Sequence, residues 1–260
     1  MIYKKYIMNN SAFSSFNEVF GSVADKLVAK KGRRLCSRDY TYPCDNIATS
    51  ILENSYAQSI LQGIAKKFYG NQICEIIKTG SKLSRTNYPR LYNNYISCCS
   101  ALEMSENPEV YVTSRLHDIN ALSVETEKPI IMVSLKAVAC LNDKEMRFLL
   151  GHELGHVSCG HLAVHVVQGI LQDINQRSEL LGAFLARIIE NPLNQWYRAS
   201  ELTADRAGLI CCKNVDSVVS LFKRLGLYTP KYSVMELWVD HPFVQTRIHE
   251  IENYSKTIGL

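Results

Sequence analysis

The chain has 260 residues, a formal net charge of +4, and a composition that is 47% hydrophobic and 21% charged. That length suits one well-buried core with extra helices, and the balance of residue types excludes a disordered chain or a fibrous repeat. Outside a short cluster at Lys30, Lys31, Arg33 and Arg34 the basic residues are scattered, so no nucleic-acid partner is expected.

Nine cysteines are an odd count; they include the adjacent pairs Cys98-Cys99 and Cys211-Cys212, and none stands in a C-x-x-C spacing. Neither a disulfide framework nor a cysteine zinc site is expected. The N-terminal "MIYKKYIMNNSAFSSF" lacks the apolar core of a signal peptide, and with so many free thiols the expected location is the cytoplasm. No run approaches the ~20 apolar residues that span a bilayer.

From Asn46 to about Ser105 apolar residues recur at helical spacing, with breaks near Gly70 and Gly80, which predicts a helical N-terminal part. Between Glu109 and Leu135 the runs "EVYVTS", "INALSV" and "PIIMVSL" predict a small meander of antiparallel strands. At Asn142 the period changes. Asn142 can cap a helix whose Glu145 reaches back to the cap, followed by Met146, Leu149, Leu150, Leu154 and Val157 on one stripe. Two further helical segments end near Asn191-Pro192 and include Leu180 to Ile189, read as a buried helix face. Helices from about Leu193 to Lys213, from Asp216 to Gly226 and after Pro242 complete the pattern. The fold class is α+β, mostly helical, with a small antiparallel sheet packed beside the helix that starts at Asn142.

That helix carries "GHELGHVSCGH", Gly151 to His161. Residues four apart on a helix are separated by about 40° and one turn, so His152 and His156 project together and can share one ion, with Glu153 on the flank. This H-E-x-x-H spacing either binds zinc with the glutamate as general base or places two histidines on a helix by chance. A catalytic zinc needs a third protein ligand. The later stretch "ELTAD" offers Glu201 and, one turn on, Asp205. As a ligand and a carboxylate behind a ligand histidine these have separate jobs; as a surface pair they have none. In "HPFVQTRI", His241 precedes a helix-starting proline and Arg247 lies within that helix. They are either an oxyanion-stabilising pair near the metal or a cap and a surface cation. His161 and His165 repeat the four-residue spacing without a neighbouring glutamate and are read as ordinary helix histidines.

"HELGH", "ELTAD" and "HPFVQTRI", in this order and preceded by "INALSV", resemble peptidase family M48, the gluzincins that include the CAAX prenyl proteases and the bacterial HtpX heat-shock protease. The resemblance covers roughly Tyr88 to Ile251. It implies a zincin-like fold, one zinc ion held by His152, His156 and Glu201, Glu153 as base, and Asp205 behind a histidine. It also implies an edge strand with Asn120 and Ala121 bordering the substrate cleft, and His241 and Arg247 facing the metal. Residues 88–260 would then form the zinc metallopeptidase domain. Residues 1–87 would be a helical extension, either a lid or pro-segment over the cleft or a continuation of the helical core. The membrane members of the family carry spanning helices that this chain lacks.

The expected function is zinc-dependent endopeptidase activity on a peptide or protein substrate, by a metal-activated water with Glu153 as general base. The alternative is a zinc-stabilised, non-hydrolytic binding or regulatory protein using the same cleft. A structural zinc is normally closed by four protein ligands and gives Glu153 little to do.

Overall fold

The helix carrying the histidines begins at a complete capping box. In a computed structural model that describes residues 37–42, 45, 73–124, 128–162, 191–225 and 244–260, the Asn142 side chain accepts from the backbone N–H groups of Lys144 and Glu145. The Glu145 carboxylate accepts from the Asn142 N–H at 3.0 Å. These bonds satisfy donors that a helix start otherwise leaves orphaned.

In chain order the elements are α1 Ser37–Tyr40, β1 Ser81–Lys82, α2 Pro89–Ala101, β2 Glu109–Thr113, β3 Ala121–Val124 and β4 Ile130–Ser134. There follow α3 Leu135–Cys140, α4 Asp143–Ser158, α5 Asn191–Cys212, α6 Val215–Arg224 and α7 Val244–Thr257. The predicted segment Leu180 to Ile189 lies outside the described residues. Among the described residues no helix is long and apolar enough to cross a membrane.

The α+β class holds, but the sheet is not an antiparallel meander. Its order is β1-β2-β4-β3, with β2 and β4 parallel in the register Glu109↔Ile130 to Thr113↔Ser134, and the other two pairings antiparallel. The reason lies in the side chains. Every residue of β4 is buried, whereas β3 alternates buried Ala121 and Ser123 with exposed Leu122. A continuous apolar run suits a strand covered on both faces, so β4 takes the interior place and β3 the edge. β1 belongs to this sheet although it precedes residue 88.

Helix α4 is the hub. Its residues are buried without a break from Phe148 to His156, the mark of a helix surrounded by other elements rather than lying on a surface. It packs along α5 and against α2, α6 and β3. Leu150, Leu154, Leu209, Leu221 and Ile251 are fully or almost fully buried in one cluster, and Phe148 meets Phe222 edge to face at 5.7 Å. Polar ties fix its start: Arg224 donates to Glu145 at 2.8 Å, and Arg90 to Asp143 at 2.7 Å.

Candidate metal centre

Small residues let α4 and α5 approach closely. A Cβ added at Gly151 would fall 2.7 Å from Cys211 Sγ, and one at Gly155 would fall 2.8 Å from Ala207 Cβ and 3.1 Å from Ala204 Cα. Glycine inside a helix costs roughly 0.5–1 kcal/mol relative to alanine. Here that cost is offset by a seam no larger side chain would allow, and the seam brings Glu201 against the two histidines.

His152 Nε2 and His156 Nε2 are 3.1 Å apart, and the Glu201 carboxylate lies 3.4 Å from His156 Nε2 and 3.7 Å from His152 Nε2. These three residues form a buried group whose ligand atoms all lie within 4.8 Å of one another. An ion about 2.0–2.1 Å from each of several tetrahedral ligands sets those ligand atoms about 3.3 Å apart. Two imidazole nitrogens and one carboxylate at these separations fit zinc in both spacing and chemical type.

Asp205 stands one turn beyond Glu201 on α5. Its Oδ1 is 3.0 Å from His152 Nδ1, so that nitrogen donates and Nε2 faces the donor set. Arg247 on α7 clasps Asp205 with two bonds of 2.6 Å, lies 3.4 Å from Glu201 Oε2, and stacks over the Phe222 ring at 4.8 Å. The Arg247 guanidinium is thus engaged by Asp205 and Glu201. Burial pushes the Glu201 carboxyl up, but the neighbouring His156, His152 and Arg247 outweigh it and hold the group well below the usual carboxylate range.

Glu153 is buried beside His152. Burial pushes its carboxyl above the ordinary glutamate value, against the opposing pull of His152 and of Ser123 on β3. Ala121 is buried at the start of that strand. Asn120 is exposed just before it, its backbone N–H donating to Ser134 Oγ at 3.1 Å and its carbonyl accepting from Ser134 N at 2.9 Å. His241 and His165 lie outside the described residues.

The reading of His161 as an ordinary helix histidine is corrected. Helix α4 ends at Ser158, and Gly160, at φ +71°, turns the chain so that His161 folds back. Its ring is fully buried, with Nδ1 3.0 Å from His156 Nδ1 and Nε2 2.8 Å from Asp45 Oδ2. The signal was present in the sequence: a glycine just past a helix end commonly adopts this left-handed conformation, which takes the next residue off the helix face. Asp45 carried no such signal.

Comparison with known proteins follows the same lines. A family model described as peptidase family M48 matches residues 86–255. The plastoglobule-localized metallopeptidase 48, chloroplastic, of Arabidopsis thaliana is 28% identical over 194 residues, which cover 72% of this chain and 55% of that protein. The chain therefore spans about half the length of this curated relative. No solved structure matches it significantly. Because the family model covers well over half of the chain and its span holds the complete His152, His156 and Glu201 group, the chain belongs to peptidase family M48.

Proposed function

We propose that the protein is a zinc-dependent endopeptidase acting on peptide or protein substrates, with one zinc ion held by His152, His156 and Glu201. The observation that carries this reading is the convergence of two Nε2 atoms and one carboxylate in a buried layer, with a second glutamate free of the donor set at its side. Bound zinc supplies Lewis acidity, which acidifies water and polarises a carbonyl oxygen.

The chain's own residues do the rest. Glu153, whose carboxyl is pushed up by burial, accepts a proton from the attacking water and passes it to the leaving amine. Asp205 holds the His152 tautomer, and Arg247 holds Asp205 and faces Glu201. Edge strand β3 receives the substrate backbone. The Asn120–Ser134 bond sets the antiparallel alternation, so Leu122 bonds inward to β4 while the backbone groups of Ala121 and Ser123 face the open edge. His241 is assigned to the oxyanion from its place in the sequence. Residues 88–260 form the peptidase domain in this reading, with the preceding residues as its extension. All seven described cysteines are unpaired, which supports a reducing, cytoplasmic setting.

The test is metal analysis of purified protein together with digestion of a peptide library, with and without a chelator. Glu201→Ala should lower zinc occupancy. Glu153→Gln should keep zinc while cleavage falls ~100-fold to ~10,000-fold or more. Zinc without cleavage in the wild type would favour the non-hydrolytic alternative, and equal loss of zinc in both variants would mean the ligands are misassigned.

A further inference from the structure

Behind His156 lies a buried polar chain that the proposed hydrolysis does not use. His161 and Asp45 are both fully buried, and Asp45 Oδ2 also accepts from Thr203 Oγ1 at 2.6 Å. Thr203 sits on α5 between Glu201 and Asp205, and its hydroxyl accepts from the Tyr42 N–H at 2.8 Å. Arg206, on the same helix, stacks over the Tyr42 ring at 4.8 Å. Tyr42 and Asp45 are thereby laced to the helix that carries the third ligand, although they precede the family-matched residues 86–255.

Proton counting gives this chain a direction. Two facing Nδ1 atoms 3.0 Å apart share one proton. The Asp45 carboxylate oxygen is an acceptor, so His161 carries its proton on Nε2 and presents a bare Nδ1. The shared proton then belongs to His156 Nδ1, which leaves His156 Nε2 unprotonated toward His152 and Glu201. The opposite arrangement would put a proton on His156 Nε2, inside the donor set, where it would exclude an ion.

We propose that Asp45 and His161 are positioning residues that set the tautomer of His156, so that a segment outside the family-matched region completes the metal centre. This inference rests on the zinc reading above. Asp45 acts only through His161, and the His161 ring stands where a carboxylate stands behind His152. Outer partners of ligand histidines commonly change metal affinity by about 10- to 100-fold.

The test uses the full-length chain. Zinc affinity, measured by competition with a chromophoric chelator, should fall about 10- to 100-fold in His161→Leu and in Asp45→Ala. The double variant should lie within about twofold of His161→Leu alone, because the two act in series. Affinities of the folded single variants within about twofold of wild type would overturn the proposal, as would fully additive losses. A purely structural role would lower thermal stability and leave the affinity of the folded protein unchanged. Where the variants do not fold, the wild type decides. Long-range proton–nitrogen NMR of metal-free, nitrogen-15-labelled protein should show His156 protonated on Nδ1 and His161 on Nε2, and the reverse tautomers would overturn the relay. That spectrum needs neither zinc nor cleavage, so absence of zinc uptake would sink the proposed function separately.

Discussion

The two histidines of the H-E-x-x-H stretch are supported in unlike ways. Behind His152 stands a charged layer, Asp205 clasped by Arg247, drawn from α5 and α7. Behind His156 stands an imidazole, His161, which leans on Asp45 from far earlier in the chain. The first support lies wholly within the family-matched residues, whereas the second draws one member from outside them. The difference teaches that similar rings one turn apart on one helix are prepared for similar work by different chemistry, because each faces a different packing partner.

The largest expected effect breaks the charged support. Asp205→Ala leaves Arg247 buried without its bidentate partner and His152 without its acceptor. Removing one member of a buried pair costs about 3–5 kcal/mol, which urea denaturation of the metal-free protein would read. His161→Leu removes one hydrogen bond from the buried Asp45 carboxylate, which keeps its bond from Thr203, a loss of about 1–3 kcal/mol. Equal losses from the two variants would erase the distinction between the supports.

Gly155→Ala comes next, because the new Cβ would stand 2.8 Å from Ala207 Cβ. Overpacking of this kind costs typically about 1–3 kcal/mol. It should reach both supports, since spreading α4 from α5 disturbs the His152–Asp205 bond directly and the His161–Asp45 bond through Thr203. NMR signals of His152 and His161 that stay at their wild-type positions would contradict this.

Glu153 has neither kind of support, and the consequence is a pH dependence. Burial raises its folded-state value, so the folded protein binds that proton more tightly than the unfolded chain does. This contribution to stability is fully present below the ordinary glutamate value of about 4.3 and is lost as pH rises through the raised value. Thermal melts of metal-free protein from about pH 4 to about pH 8 should therefore show Glu153→Gln gaining on wild type with rising pH. A constant offset across that range would remove Glu153 from the buried layer.

The smallest effect is expected at the edge strand. The bonds that tie Asn120 to Ser134 use its backbone, and its side chain is exposed. Asn120→Ala should accordingly leave zinc content unchanged and alter kcat/KM by no more than about twofold. A larger loss would place the amide itself against substrate.

Much of this was legible locally. The Asn142 cap with Glu145, the change of period that starts α4, and the one-turn spacings of His152 with His156 and of Glu201 with Asp205 are all short-range patterns. The place of β4 was partly readable, since "PIIMVSL" is almost continuously apolar, but "INALSV" gives no sign that Ser123 faces inward and Leu122 outward, and the parallel pairing with β2 was not anticipated. Strand order depends on which faces other elements cover, and no single strand carries that information.

By itself the sequence determined most of the described helices, though not strand β1, which lies in a stretch expected to be helical. It also set the ligand-type residues and their spacing, because helix geometry turns a four-residue interval into a shared face. Only the tertiary structure decided what stands behind those residues. The glycine seam sets how near α5 comes, α7 delivers Arg247 to Asp205, and the turn at Gly160 aims His161 at His156 while the chain around Tyr42 brings in Asp45. The bond that ties Tyr42 to Thr203 joins residues 161 positions apart. Such contacts exist only once burial has excluded water and forced each polar group to find a partner within the protein.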